Sequence, residues 1–160
     1  MTSDEGSREM KNIIGLVKDI VEETKSLKDV YIKIDAPVNW ACIFAHDDQE
    51  YAMLLKNAEK IGKIIKETPT GMIFHIKPIE TVAGKLRLLK IRTPDITRVE
   101  RGDADFTINE YDKFKRAFLN KKGFKFIQRE NFEMIELMDD KYDVRAYFSN
   151  PTQEQLLGVK

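Results

Sequence analysis

At 160 residues, 42% of them hydrophobic and nine of them Phe, the chain is long enough for one core-bearing domain or for two small modules that share a core. Lys and Arg number 27 and Asp and Glu number 27, so no global field draws nucleic acid or an anionic membrane to the protein. Cys42 is the only cysteine, which excludes an internal disulfide and a cysteine-based zinc cluster, and suits a reducing cytoplasm.

The opening MTSDEGSREM is acidic and polar where a secretory leader carries basic and then apolar residues. No apolar run approaches the roughly 18 residues of a membrane span, so a soluble, cytoplasmic protein with a disordered lead over 1–7 is expected. From Arg8 to Lys28 the residues Met10, Ile13, Ile14, Val17, Ile20, Val21 and Leu27 recur at helical spacing, with charges of both signs between them. This predicts an amphipathic helix over 8–28 that docks on its own domain.

Pro37 precedes Val38–Ala45, a β-branched and aromatic run that reads as a strand. In DDQEYAMLLKNAEKIG, Asp47 or Asp48 caps a helix whose apolar stripe includes Leu54, Leu55, Ala58 and Ile61, and Gly62 is placed to end it. Three extended segments follow, GKIIKETP, GMIFHIKPIE and KLRLLKIRTP, with turn signals at Pro69–Gly71 and near Gly84. Then the order repeats. GDADFTI reads as a strand, NEYDKFKRAFLNKKG as a helix, and FKFIQRE, FEMIELMD and YDVRAYFS as three strands. Glu50 and Tyr51 are echoed by Glu110 and Tyr111, and Gly62 by Gly123, an offset of about 60 residues. The expected fold is α+β: two βαβββ modules, over 38–94 and 102–149, with an added N-terminal helix and a C-terminal tail over 150–160.

A tandem βαβββ chain of this length resembles the vicinal-oxygen-chelate superfamily of glyoxalases, bleomycin-resistance proteins and extradiol dioxygenases. The resemblance covers roughly residues 30–150 and rests on order and spacing. The passage LRLLKIRTPDITRVERGDADFTI is similar to the junction at which such proteins end one module, cross a Pro-bearing loop and begin the next. The resemblance implies two cupped sheets around a cleft, with a divalent metal held by His or Glu on the first and last strands of each module. Here those strands carry Trp40 and Cys42, Lys90 and Arg92, Asp103 and Asp105, and Arg145 and Tyr147. Cations where a metal should sit imply that the metal site is lost, and no metal or other cofactor is expected.

Alternation puts Asp103 and Asp105 on one strand face, opposite Ala104 and Phe106, where they can accept hydrogen bonds from a ligand or pair at a solvated strand end. His46 and His75 show no metal-binding spacing, Cys42 has no base near it in sequence, and no phosphate loop is present. The ligand-binding candidates are therefore Trp40, Lys90, Arg92, Asp103, Asp105, Arg145 and Tyr147. The function expected is metal-independent binding of a small, anionic molecule, with catalysis left open. Two alternatives remain: a metal-dependent lyase, isomerase or dioxygenase with ligands relocated to His75, Glu80, Asp105 or Glu136, and a protein-interaction module. Neither nucleic acid nor membrane is an expected partner, and a homodimer is left open.

Overall fold

Period-two stretches form strands and period-3.6 stretches form helices in the computed structural model, which describes residues 3–159 and, from residue 12 onward, their side chains. The chain runs α1 (Ser3–Tyr31), β1 (Val38–Phe44), α2 (Asp48–Glu59), β2 (Gly62–Thr68), β3 (Gly71–Thr81), β4 (Gly84–Arg92), β5 (Gly102–Phe106), α3 (Tyr111–Phe118), β6 (Phe124–Gln128), β7 (Glu133–Leu137), β8 (Val144–Asn150) and α4 (Gln153–Leu157). Both halves have the order strand, helix, strand, strand, strand, so the α+β fold read from the sequence is present. The strands make one continuous eight-stranded sheet, ordered β2-β3-β4-β1-β5-β8-β7-β6, where two cupped sheets were expected.

Within each half the first strand lies parallel to the last, β1 to β4 and β5 to β8. The halves meet where β1 runs antiparallel to β5, with Ala41 opposite Ala104. Backbone pairing therefore crosses the middle of the molecule, and the modules share one sheet.

Asp47 caps α2 by accepting from the Glu50 amide at 2.7 Å, which resolves the choice between the two aspartates. Gly62 is the first residue of β2, and Lys60 closes α2 instead. α3 ends at Phe118, earlier than its sequence pattern suggests, and Gly123 at φ 94° turns the chain into β6.

α1 reaches beyond the expected 8–28 at both ends. The expected lead over 1–7 falls on residues whose side chains lie outside the described ones. Ile13, Val17, Ile20, Val21 and Leu27 are buried, and the helix packs on β1, β3, β5, β8 and α2. The Arg101 guanidinium and the Asp143 amide both donate to the Glu23 carboxylate, which ties α1 to the chain entering β5 and β8. Packing there leaves no room for a side chain at Gly102, because a Cβ would lie 2.3 Å from the Cys42 carbonyl oxygen and 2.9 Å from Ile20 Cδ1.

The buried cluster joins α1, α2 and α3 to the residues of one sheet face, among them Ile43, Leu89, Ala104, Phe106 and Phe148. No helix among the described residues is long and apolar enough to cross a membrane. The other sheet face is left to the alternate residues.

Candidate functional site

Because side chains alternate along a strand, the residues between the core positions all project from the second sheet face. Ile73, Lys90, Cys42, Asp103 and Arg145 form one row across β3, β4, β1, β5 and β8. Cys42, in the middle, is small and buried. It leaves a depression between Lys90 and Asp103, a cavity of about 310 Å³. Of the residues expected in the site, Trp40, Lys90, Arg92, Asp103 and Tyr147 line it, while Asp105 and Arg145 do not.

The cavity has a strong sign although the whole chain is balanced. Lys66, Lys90, Arg92, Arg98 and Arg129 are among its lining residues, against one carboxylate, Asp103. Lys90 Nζ donates to Thr70 Oγ1 at 2.6 Å, and burial lowers its pKa. Arg92 and Arg98 converge on Asp95, with N···O distances of 3.7 and 4.0 Å. Asp95 is itself fixed by the Thr97 amide and hydroxyl, which donate to Oδ1 at 2.9 and 2.7 Å. The Arg98 guanidinium also lies over the Phe44 ring, 5.5 Å from its centroid, and donates to the Tyr147 hydroxyl at 3.2 Å.

Two polar atoms that belong to lining residues are buried and unpaired: Arg92 Nε and Asp103 Oδ1. Burial pushes the Asp103 carboxyl up to about 7, with Asp105 adding to the rise and Arg98, Lys90 and Arg92 opposing it. The same burial holds the Cys42 thiol well above its ordinary value, and its Sγ lies 3.8 Å from the Ile43 carbonyl oxygen at the cavity floor.

Asp105 and Arg145 are engaged elsewhere. Asp105 accepts from the Ser149 amide and hydroxyl at 3.2 and 2.6 Å and from Asn39 Nδ2 at 3.1 Å. Burial raises its carboxyl to about 6, with those hydrogen bonds pulling against the rise. Arg145 Nε donates to Glu100 Oε1 at 2.7 Å, and Nη1 lies 3.5 Å from Glu136 Oε2. Tyr147 bridges the two regions, because its hydroxyl donates to Glu136 at 2.6 Å and accepts from Arg98.

The segment expected as a tail contributes a wall. Thr152 and Gln155 form a reciprocal capping box that starts α4, and Gln153, Leu156 and Leu157 line the cavity. The Gln153 amide donates to Asn39 Oδ1 at 3.3 Å, and Glu154 pairs with Arg87 at 3.7 Å. The Thr-x-x-Gln spacing was legible in TQEQ as a helix start. Arg98 had no such signal, since its place depends on how the loop from β4 to β5 folds back over the sheet.

His75 is exposed on β3, and His46 Nε2 is 2.9 Å from the Glu100 carbonyl oxygen, so neither lines the cavity. A broader hollow of about 760 Å³ lies between the start of α3 and α4, but among the described residues no buried, unpaired polar atom faces it. The metal implied by the resemblance does not fit these residues. Among the described residues no three His, Cys, Asp or Glu side chains are grouped to hold an ion. The proposed substitutes are dispersed as well, with His75 and Glu80 on β3, Asp105 on β5 and Glu136 on β7.

No protein-family model matches the chain, and no curated protein matches it. Among solved structures, one described as "Structural Genomics, Protein EC4020" superposes with a TM-score of 0.71 at 11% identity, covering 94% of this chain and 92% of that one. A glyoxalase/bleomycin resistance protein/dioxygenase superfamily member from Vibrio splendidus 12B01 aligns with a TM-score of 0.41 at 6% identity, over 71% of this chain and 97% of that one. The first likeness shows that this arrangement of one sheet and its helices is an established fold.

Proposed function

We propose that the protein binds a small organic anion in the cleft, on a glyoxalase-like scaffold and without a metal. The observation that carries this reading is the concentration of five cationic side chains around one carboxylate in a cavity of about 310 Å³, in a chain with no net charge overall. Like charges gathered beside a sheet repel one another, and an anion relieves that repulsion. The volume suits a small metabolite-sized molecule, and Trp40, Ile73, Phe132 and Leu156 supply apolar walls for its body. Lys90, Arg92 and Arg98 provide charge-assisted hydrogen bonds.

Trp40 is the only tryptophan, so its fluorescence reports on the cleft directly. Titration with a panel of small carboxylates, their neutral amides and matched amines should give saturable changes for the carboxylates alone. Arg92→Ala should weaken that binding roughly tenfold to a hundredfold, the range for losing a desolvated charge-assisted hydrogen bond. A preference for the amines, or equal affinity in Arg92→Ala, would overturn the reading.

A further inference from the structure

We infer that the anion also carries a neutral hydrogen-bond donor, such as a hydroxyl, and is held between Arg92 and Asp103. This deepens the anion-binding reading and rests on it. The two unpaired buried atoms are complementary in sense: Arg92 Nε can only donate, and Asp103 Oδ1, on an ionised carboxyl, can only accept. Each is left without a partner by the protein itself, and polar atoms are seldom buried in that condition. A ligand that offers an acceptor to one and a donor to the other satisfies both at once.

The register sets their separation. Arg92 lies beside Phe44 and Asp103 beside Cys42, on strands that flank β1. Their backbones are thus on the order of 10 Å apart across the sheet and ~7 Å along it. The long arginine side chain spans part of this gap, and a compact molecule fills the remainder. The donor is neutral because Lys66, Lys90, Arg98 and Arg129 line the same cavity and repel an ammonium. Burial raises the empty Asp103 carboxyl to about 7, so at pH 6.5 a donor that pairs with its charged form drives off the proton, with Arg98, Lys90 and Arg92 favouring that ionisation against Asp105 and the ligand's own charge.

Calorimetry with matched probes tests this. On benzyl, isobutyl and methyl bodies, the 2-hydroxy carboxylates (3-phenyllactate, 2-hydroxy-4-methylpentanoate and lactate) are compared with the parent carboxylates and the 2-amino acids. At least one hydroxy acid should bind at least tenfold tighter than its parent, and the amino acids should bind weakest. Binding of the hydroxy acid at pH 6.5, measured in buffers of different ionisation enthalpy, should release protons. In Asp103→Leu the hydroxy acid and its parent should converge. In Asp103→Asn, which keeps an oxygen acceptor and the side-chain shape, part of the preference should survive while proton release is lost. Equal binding of hydroxy acid and parent in the wild type would overturn this inference and leave anion binding standing. Tighter binding of the amino acid would overturn it too, and failure of every carboxylate to bind would overturn the anion-binding reading and this one together.

Discussion

Ser149 reaches Asp105 twice, its amide donating to Oδ1 at 3.2 Å and its hydroxyl to Oδ2 at 2.6 Å. Asp103, one position along the same strand face, receives no hydrogen bond at Oδ1. The same physical burial therefore produces a braced carboxylate and an open one. Replacing Ser149 with Ala should remove a hydrogen bond to a charged group, worth about 1.5–3 kcal/mol of stability near pH 8. Asp105 should then titrate higher than about 6, which side-chain carboxyl NMR would follow.

The raised pKa of Asp103 fixes a direction for pH. With a folded value of about 7 against an unfolded value near the ordinary 3.8, the group costs the fold nothing when both states are protonated. As pH rises through that interval the unfolded chain ionises first, stability falls, and above the folded value the whole penalty is present. It amounts to a few kcal/mol on the scale of about 1.4 kcal/mol per pH unit. Asp103→Asn should accordingly raise the thermal midpoint by several degrees at pH 8 and change it little at pH 4. A variant no more stable than wild type at pH 8 would count against a strained, ligand-ready carboxyl.

Arg92 and Arg145 should separate binding from folding. Arg145 neutralises Glu100 and Glu136, both nearly buried, so Arg145→Ala leaves two uncompensated carboxylates. The expected loss is about 3 kcal/mol in chemical denaturation, with little change in anion affinity for the protein that remains folded. Arg92, with an unpaired Nε and only a 3.7 Å approach to Asp95, should show the reverse pattern.

Leu156 projects from α4 into the cavity wall. Leu156→Ser should weaken binding of carboxylates with benzyl or isobutyl bodies by about tenfold, through lost apolar contact, while leaving short carboxylates almost unaffected. Calorimetry on the two classes decides whether α4 shapes the body of the ligand or merely lies nearby.

The architecture was legible because it is local. Leu54 and Ala58 mark a helix face, and Ala104 and Phe106 alternate with Asp103 and Asp105, whatever the rest of the chain does. The shared face of Lys90 and Arg92 followed from the same alternation, and both line the cavity. Pairing across the sheet was not local: nothing near Arg145 in sequence announces that Glu100, 45 residues away, will claim it. Arg98 likewise joins the site only because Asp95 and Thr97 shape a loop that turns it over Phe44. Sequence periodicity assigns a residue to a face, whereas its partners decide whether it is available to a ligand.

The antiparallel seam between β1 and β5 has a consequence for dividing the chain. A fragment ending at residue 94 would bare the edge of β1 that β5 covers, and one beginning at residue 95 would bare the matching edge of β5, while β4 and β8 stay paired to their other edges. The bared strands are mutually complementary, since Ala41 meets Ala104 and Asn39 reaches Asp105 across the junction. Co-expressed fragments should therefore reassociate through that seam. Alone, each would seek a substitute strand, and a second copy of the same fragment supplies one. The cavity, built from residues of both fragments, would return only with the mixed pair.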